Sequence, residues 1–151
     1  MEDLYAMPGH LFRRVQQIST AIFVEECGDL DLTSVQFAAL MAIRSHPDVD
    51  ATRLSTLIAF DRSTLGDVLE RLEAKGWVVR QSSPTDKRVK LLRLSPEGSQ
   101  LLRRALPKVR RVQERLLSPL SPKDRENMVR LLSQLAESHN DIAPAPLRAS
   151  D

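Results

Sequence analysis

The chain has 151 residues, 42% of them hydrophobic and 28% charged, with a formal net charge of +2 at pH 7. This length suits one compact domain over residues 1–151, and the sequence contains neither a membrane-spanning run of about 18 apolar residues nor the pattern of a signal peptide. Cys27 is the only cysteine, which excludes an intrachain disulfide and a cysteine-based zinc site. We therefore expect a single unit in the cytoplasm, with no metal, no cofactor and no membrane association.

Two amphipathic helices are predicted in the first third of the chain. Apolar residues recur at steps of four, three and four between Pro8 and Glu26, which is the spacing of one face of a helix that ends near Gly28. Thr33 begins the second helix, because Gln36 lies three positions later and completes a capping box, and Pro47 ends it. The apolar stripe of the first helix is Leu11, Val15, Ile18 and Ile22, and the buried side of the second is Val35, Phe37, Leu40, Met41 and Ile43.

Two shorter helical patterns follow with very little between them. Residues 52–59 and 62–75 each have helical periodicity, and only Phe60 and Asp61 separate them. Gly76 then stands where a helix needs a left-handed terminating residue. Two helices joined by so short a turn are typical of a helix-turn-helix. The inward positions of the longer helix are Leu65, Val68, Leu69 and Leu72.

A hairpin with a basic tip comes next. Residues 77–80 and 89–94 are rich in strand-forming side chains, and turn residues surround Pro84 between them. Lys87 and Arg88 lie in the connecting loop. The pattern therefore predicts a two-stranded β wing whose tip carries positive charge.

Two terminal helices complete the predicted fold. Ser-Pro pairs at 95–96 and 121–122 are helix start signals, and apolar residues at helical spacing follow each pair. We expect Pro107 to kink the first of these helices and residues 141–151 to form a frayed tail.

Basic residues are concentrated in the middle of the chain. Between Ala51 and Leu94 there are nine lysines and arginines against five aspartates and glutamates, a difference of four positive charges. Such a run can be only a solvated surface, but a helix that enters the major groove of DNA needs short polar or basic residues near its amino end. The predicted DNA-contacting residues are Thr52, Arg53, Arg62, Ser63, Thr64, Asp67, Arg71 and Lys75 on the two helices, and Asp86, Lys87 and Arg88 on the hairpin.

These residues are expected to make different kinds of contact. Arg62 can bond a guanine edge or a phosphate, whereas Arg71 and Lys75 suit phosphates, because the helix rises away from the groove. Lys87 and Arg88 can reach a neighbouring minor groove, whose narrow form attracts arginine. For any one of them, a plain surface role is the alternative.

The order of these elements resembles that of the MarR family of bacterial regulators over residues 8–138. The resemblance rests on residues 62–78 (RSTLGDVLERLEAKGWV) and on the wing sequence that begins at Asp86-Lys87-Arg88 and continues as LLRLSPEG. In that family Asp-x-Arg is a hallmark of the wing, which implies that Arg88 enters the minor groove and Asp86 braces the loop. The resemblance also implies a dimer on an inverted-repeat operator, and repression that a small molecule relieves.

The expected fold is mainly α (α+β): a winged helix-turn-helix with a two-stranded β wing and terminal dimerisation helices. Residues 51–94 form the predicted DNA-binding lobe, and residues 8–46 and 95–138 the helical dimerisation region. The terminal helices carry the longest apolar stripes, and a two-fold interface between two copies would bury them. An ordinary helical core within one subunit is the alternative.

An effector site is predicted beside the first helix. His10 and Arg14 are four residues apart and are therefore neighbours on the helix surface. A guanidinium at the edge of an apolar wall suits a carboxylate, although Arg14 can instead pair with an acidic residue across the dimer. The resemblance implies a pocket between the dimer helices and the DNA-binding lobe, and an aromatic or phenolic acid as effector. The predicted effector-binding residues are Tyr5, His10, Phe12, Arg13, Arg14, Phe37 and Met41.

Three other functions were weighed against this one. Cys27 invites a redox sensor, but the neighbouring Glu25, Glu26 and Asp29 raise the pKa of the thiol and favour a quiet, packed cysteine. An enzyme is not expected, because no Gly-rich phosphate loop, His-x-x-x-His pair or nucleophile elbow is present. A winged helix used only for contact with another protein remains an alternative, since it would keep the fold without needing the basic tip.

Overall fold

The computed structural model describes residues 1–149. These residues form seven α-helices and one small antiparallel sheet. The helices are α1 (Glu2–Ala6), α2 (Pro8–Cys27), α3 (Ser34–Ser45), α4 (Ala51–Leu57), α5 (Arg62–Ala74), α6 (Pro96–Leu117) and α7 (Pro122–Ser138), and the strands are β1 (Val49–Asp50), β2 (Val78–Ser82) and β3 (Lys90–Leu94). Two single 3-10 turns, Gly28–Leu30 and Asn140–Ile142, follow α2 and α7. None of the helices between residues 1 and 149 combines the length and apolar composition that a transmembrane helix requires.

The helix starts follow the side chains that cap them. The Thr33 hydroxyl accepts from the Gln36 backbone N–H at 3.2 Å, and the Gln36 amide oxygen accepts from the Thr33 N–H at 3.1 Å, so the predicted capping box is confirmed. Ser95 caps α6 and Ser121 caps α7 through a single accepted hydrogen bond each, the serine hydroxyl accepting from the backbone N–H of Gly98 and of Asp124. These caps satisfy backbone donors that a helix leaves without partners at its amino end.

The wing contains three strands, where the sequence predicted two. Strand order is β1-β3-β2, and Val49 of β1 lies opposite Leu92 of β3. Asp48 has a φ of 67°, which turns the chain sharply after α3 and delivers Val49 to the sheet edge. The predicted two-stranded hairpin is confirmed as β2 and β3. The added edge strand β1 was not predicted, because its two residues are too few for an alternating pattern.

The apolar core lies where α3, α4, α5 and β3 meet the first half of α6. Its largest completely enclosed side chains are Leu40, Ile43, Leu54, Leu65, Leu69, Leu72, Leu92, Leu102 and Val112. Full burial of such a side chain contributes about 1.5–3 kcal/mol. The core fixes α5 by one face and leaves its amino end in solvent. By contrast, α7 buries no residue, and α2 buries only Phe23 and Cys27 near its end.

Two elements at the ends of the chain differ from the sequence prediction. Helix α1 was not foreseen, because five residues are too few to show a helical period. Residues 141–151 were expected to form a frayed tail, but Leu147 is hydrogen-bonded to Asn140 and Arg148 to α4. Residues 150 and 151 of that tail lie outside the described residues. Helix α6 continues through Pro107 from Pro96 to Leu117.

Gly98 allows α6 to approach the start of the wing. A Cβ atom at this position would lie 2.0 Å from the Trp77 carbonyl oxygen, which is less than any real contact. The Ser95 backbone N–H donates to that same carbonyl at 3.0 Å, so the chain cannot shift there without losing a hydrogen bond. The junction between the wing and α6 therefore requires glycine.

We predict that Gly98→Ala lowers the free energy of unfolding by at least about 2 kcal/mol, because the new methyl group overlaps backbone. Gly66→Ala is the matched control, since nothing lies within 4 Å of a Cβ there and alanine favours the helix interior by about 0.5–1 kcal/mol. Urea unfolding of both variants checks this. Equal stability of Gly98→Ala and the parent would contradict the described junction.

Candidate nucleic-acid interface and effector cavity

The first two turns of α5 present polar side chains to solvent. Arg62, Ser63, Thr64 and Asp67 are all exposed, whereas the inward positions predicted from the sequence are buried. The helix is thus divided into a packed face and a polar amino end. This is the form that a helix needs in order to lie in a major groove.

Asp61 organises that amino end. Its carboxylate accepts from the Thr64 backbone N–H and the Thr64 hydroxyl, each at 3.0 Å, and from the Ser63 hydroxyl. These hydrogen bonds lower the pKa of Asp61 from 3.8 to about 2, the Ser63 hydroxyl being the largest cause. The sequence analysis assigned Asp61 only to the turn. Because both hydroxyl protons go to Asp61, Ser63 and Thr64 present oxygen lone pairs, as acceptors, to the surface.

The wing tip carries a preformed ion pair. Arg88 donates Nε to Oδ1 and Nη2 to Oδ2 of Asp86, each at 3.1 Å, and its backbone N–H donates to Oδ1 at 3.0 Å. The hydrogen bonds from the Arg88 side chain lower the pKa of Asp86, and the side chain of Arg88 remains 91% exposed. The pairing predicted for Asp86 is confirmed. It holds an arginine outward on a short loop.

A recess lined by cations lies between α4, α5 and the wing. Its volume is about 250 Å³, and Arg62, Arg80, Arg88 and Lys90 are among the residues that line it, with Thr52 at its edge. The sequence analysis missed Arg80 and Lys90. They precede and follow the wing loop on paired strands, where alternate residues share one face, and this alternation was the available signal.

Two predicted DNA contacts are committed elsewhere in the molecule. Lys75 forms an ion pair with Asp31 at 2.9 Å and lies 4.6 Å from the centre of the Trp77 ring, so it ties the end of α5 to the loop before α3. Arg53 donates Nη1 to the Arg148 carbonyl at 2.8 Å. The phosphate contacts predicted for Lys75 and Arg53 stay predictions, and in this state both side chains bind other parts of the chain.

Arg71 lies farther along α5. It is exposed and lines a shallow groove with Asp67, Glu70 and Ala74. The carboxylates of Asp67 and Glu70 in this groove repel phosphate and so weaken its binding there. Its predicted phosphate contact stays a prediction.

The predicted effector residues do not form one site. Tyr5 and His10 stack with ring centroids 5.7 Å apart, and Arg13 Nη2 lies 3.4 Å from His10 Nδ1. Phe12 and Arg14 are exposed on other sides of α2. Within one copy of the described chain these side chains therefore do not line a common cavity, and their role in effector binding stays a prediction.

A cavity of about 290 Å³ lies between α2, α3 and α6. Of the predicted set only Phe37 reaches it, while Met41 lines a separate groove beside α4. The cavity has apolar walls and uncharged polar groups. Its lining residues are Gln16, Ser19, Thr20, Phe23, Ser34, Phe37, Val109, Val112 and Gln113.

The α2 contribution to this cavity had a signal in the sequence. Gln16, Thr20 and Phe23 lie at helical spacing on one face, turned away from the apolar stripe. Arg13 lies one turn before Gln16 and therefore on the same face. This face was not predicted, because the effector prediction started from charged residues beside the apolar stripe.

Cys27 is completely enclosed at the end of α2. Burial is the largest cause that raises the pKa of its thiol; Asp29 and Glu26 add to the rise, and Lys108 opposes it. A buried thiol with a raised pKa is a poor nucleophile. The structure therefore favours the quiet, packed cysteine over the redox sensor.

Comparisons with known proteins agree on one family. The model of the MarR family matches residues 32–90. The chain is 32% identical over 136 residues to the HTH-type transcriptional repressor NicR of Pseudomonas putida, which covers 90% of this chain and 86% of NicR. A probable transcriptional regulator from Pseudomonas aeruginosa superposes with a TM-score of 0.83 at 32% identity, covering 87% of this chain and 98% of that one.

A third relative has a described effector. The structure of Bordetella bronchiseptica BpsR, whose DNA binding is regulated by 6-hydroxynicotinic acid, superposes with a TM-score of 0.83 at 30% identity. The match covers 87% of this chain and 94% of BpsR.

The Asp61 cap should appear in the acid stability of the protein. Since the folded-state pKa of Asp61, about 2, is below its unfolded value of 3.8, its stabilising contribution is complete above pH 4 and is lost as the pH falls to about 2. Asp61→Asn keeps an oxygen cap but removes the titration, so its unfolding free energy should fall less steeply over that interval. Urea titrations from pH 5 to about 2 measure the difference. Parallel curves for parent and variant would contradict the assigned pKa.

Proposed function

The chain belongs to the MarR family of transcriptional regulators, and on this premise we propose that it is a homodimeric repressor that binds an inverted-repeat operator and is released by a small aromatic acid. The observation that carries the proposal is the exposed amino end of α5 beside a recess lined by Arg62, Arg80, Arg88 and Lys90. Protein of this kind acts on DNA in the cytoplasm.

DNA contact on this surface would use two grooves. Helix α5 enters the major groove with Arg62 towards base edges or phosphate, and the hydroxyl oxygens of Ser63 and Thr64 accept from base amino groups. Arg88, held outward by Asp86, enters the adjacent minor groove. Thr52 and Lys90 contact the phosphates between the two grooves. Arg80 joins them once it leaves its ion pair with Glu73, in which Nη2 and Oε2 are 2.6 Å apart.

Two copies are needed because one copy leaves its terminal helices uncovered. Leu11, Val15 and Ile18 of α2 are 43–49% exposed, and Leu131, Leu132 and Leu135 of α7 are 42–48% exposed. Rows of exposed apolar side chains on two helices of a soluble protein indicate an interface. A two-fold pair through α2 and α7 buries both stripes, and it sets two α5 helices on successive major grooves. The alternative of an ordinary core within one subunit has no support in the burial of these residues.

The effector is proposed to bind in the cavity between α2, α3 and α6. Phe23, Phe37, Val109 and Val112 supply apolar walls for an aromatic ring, while Gln16, Ser19, Thr20 and Gln113 supply hydrogen bonds to ring hydroxyl groups. Arg13, on the same face of α2 as Gln16, is the proposed anchor of the carboxylate, in place of Arg14. BpsR, regulated by 6-hydroxynicotinic acid, gives the chemical class.

Release follows from a preference for one dimer shape. A ligand between α2, α3 and α6 contacts both the dimerisation helices and a helix that packs against the DNA-binding lobe. The ligand weakens DNA binding only if it binds one dimer shape more tightly than the other. The favoured shape must be the one in which the two α5 helices are wrongly spaced for successive major grooves. Repression relieved by the acid is the outcome this arrangement favours.

Removal of the wing arginine tests the DNA proposal. Arg88→Ala should weaken binding to duplex DNA from beside the gene by about ten- to a hundredfold and reduce the slope of log affinity against log salt by about 1. Gel shifts at several salt concentrations measure both quantities. Arg110→Ala, an exposed arginine on α6, is the control and should change neither. Unchanged DNA affinity of Arg88→Ala, with circular dichroism like that of the parent, would favour a winged helix used for protein contact only.

A pair of neighbouring arginines tests the effector site. Arg13→Ala should raise the concentration of 6-hydroxynicotinate or 4-hydroxybenzoate that releases half of the DNA by about tenfold or more, because a charge-assisted hydrogen bond is lost. Arg14→Ala should leave it unchanged, and both variants should bind DNA like the parent. The measurement is a gel shift with a panel of aromatic acids. Loss of the response in Arg14→Ala alone would place the anchor on the opposite face of α2.

A further inference from the structure

The segment after α7 returns to the helix-turn-helix. Residues 140–149, here called the strap, leave the end of α7 and cross the carboxyl end of α4. The Arg148 backbone N–H donates to the Thr56 carbonyl at 2.9 Å. Thr56 lies in the last turn of α4, where carbonyl groups have no partner within the helix, so the strap supplies one.

Asn140 closes the strap into a loop. Its side-chain nitrogen donates to the Leu147 carbonyl at 2.9 Å, and its side-chain oxygen accepts from the Leu147 backbone N–H at 2.8 Å. One side chain thereby fixes both polar groups of a residue seven positions away. The Pro residues 144 and 146 stiffen the chain between these two points.

The strap occupies both sides of α4. Leu147 and Ala149 lie in an apolar groove of about 470 Å³ formed by α3 and the end of α4. Residues 144–146 line a second recess with Phe60, Asp61 and Arg62, directly at the amino end of α5. Leu147 stays 47% exposed, so its seat is shallow and the contact is weak enough to open.

Arg53 is held by the strap. Its guanidinium donates Nη1 to the Arg148 carbonyl at 2.8 Å and Nη2 to the Ala149 carbonyl at 3.4 Å. Arg53 stands on α4, the helix whose amino end adjoins the cation-lined recess. While the Arg53 guanidinium donates to these carbonyl groups, it cannot donate the same N–H groups to a phosphate.

We propose that the strap is an autoinhibitory element: residues 140–149 hold Arg53 and border the amino end of α5, and full DNA binding requires their release. This inference rests on the proposed function. The docked and undocked strap define two states, and only the undocked state gives Arg53 to the DNA backbone. The apparent DNA affinity is then the affinity of the undocked state reduced by the fraction of molecules that occupy it.

The test removes the hydrogen bonds between Asn140 and Leu147 in the full-length chain. Asn140→Ala removes both hydrogen bonds to Leu147, and we expect it to tighten DNA binding by about three- to tenfold, because each such bond contributes modestly. The slope of log affinity against log salt should become steeper by about 0.9, since Arg53 adds one phosphate contact. Ile142→Ala, at a strap residue that is 80% exposed, is the matched control and should leave both quantities unchanged.

A second variant links the gain to Arg53. In an Arg53→Ala background, Asn140→Ala should no longer steepen the salt dependence and should give less than half of its gain in affinity, because the phosphate contact is absent. Hydrogen exchange of the Leu147 and Arg148 amides, protected in the free protein, should become fast when DNA is bound. This readout reports the strap directly and does not depend on the variants.

The outcomes separate this inference from the proposed function. If the parent binds duplex DNA and Asn140→Ala binds it equally well or more weakly, the strap is a brace and the inference is wrong, while the proposed function stands. Amides of Leu147 and Arg148 that stay protected on DNA would overturn the inference in the same way. If neither protein binds duplex DNA at any salt concentration, the proposed function itself fails.

Discussion

The burial of one face of α5 is the constraint on which the rest of the structure depends. Leu65, Leu69 and Leu72 are enclosed where α5 packs against α3, α4 and β2, and they repeat at helical spacing. Such a stripe fixes the rotation of the helix about its axis, because a turn of one residue, about 100°, would move the apolar side chains into water. The polar amino end that begins at Arg62 therefore faces outward as a consequence of core packing.

The ion pairs of the protein divide into two groups with different uses. Arg93 with Asp48 fastens β3 to the turn before β1, and Arg111 and Arg115 with Glu26 fasten α6 to α2. These pairs join elements that are distant in the sequence. The Arg88 pair with Asp86 joins residues two apart on a loop and leaves the guanidinium in solvent. Its effect is to restrict the side chain of a cation that stays available, which lowers the entropy lost on binding.

Helix α3 connects the surfaces that carry function. It packs on α6 beside the cavity, and it also packs on α4, α5 and β3 in the DNA-binding lobe. Its far side forms the groove in which Leu147 rests. Because a close-packed core transmits a displacement instead of absorbing it, the proposed ligand at one end of α3 and the strap at the other would act on the same helix-turn-helix. The cavity and the strap thus meet the helix-turn-helix through one element.

The amino-acid sequence by itself determined the long helices, their caps and the wing. Local signals suffice there, because Thr33 with Gln36, the Ser-Pro pairs and the left-handed Gly76 act within a few residues of chain. It also identified the polar amino end of α5 and a role for Asp86 in bracing the wing loop, both of which depend on short spacing. The tertiary structure alone decided the rest. Lys75 is bound to Asp31 across 44 residues, and Arg53 to Arg148 across 95, so no local pattern could report that these cations are occupied. The cavity likewise takes its walls from three helices, and periodicity within one helix does not reveal which face another will cover.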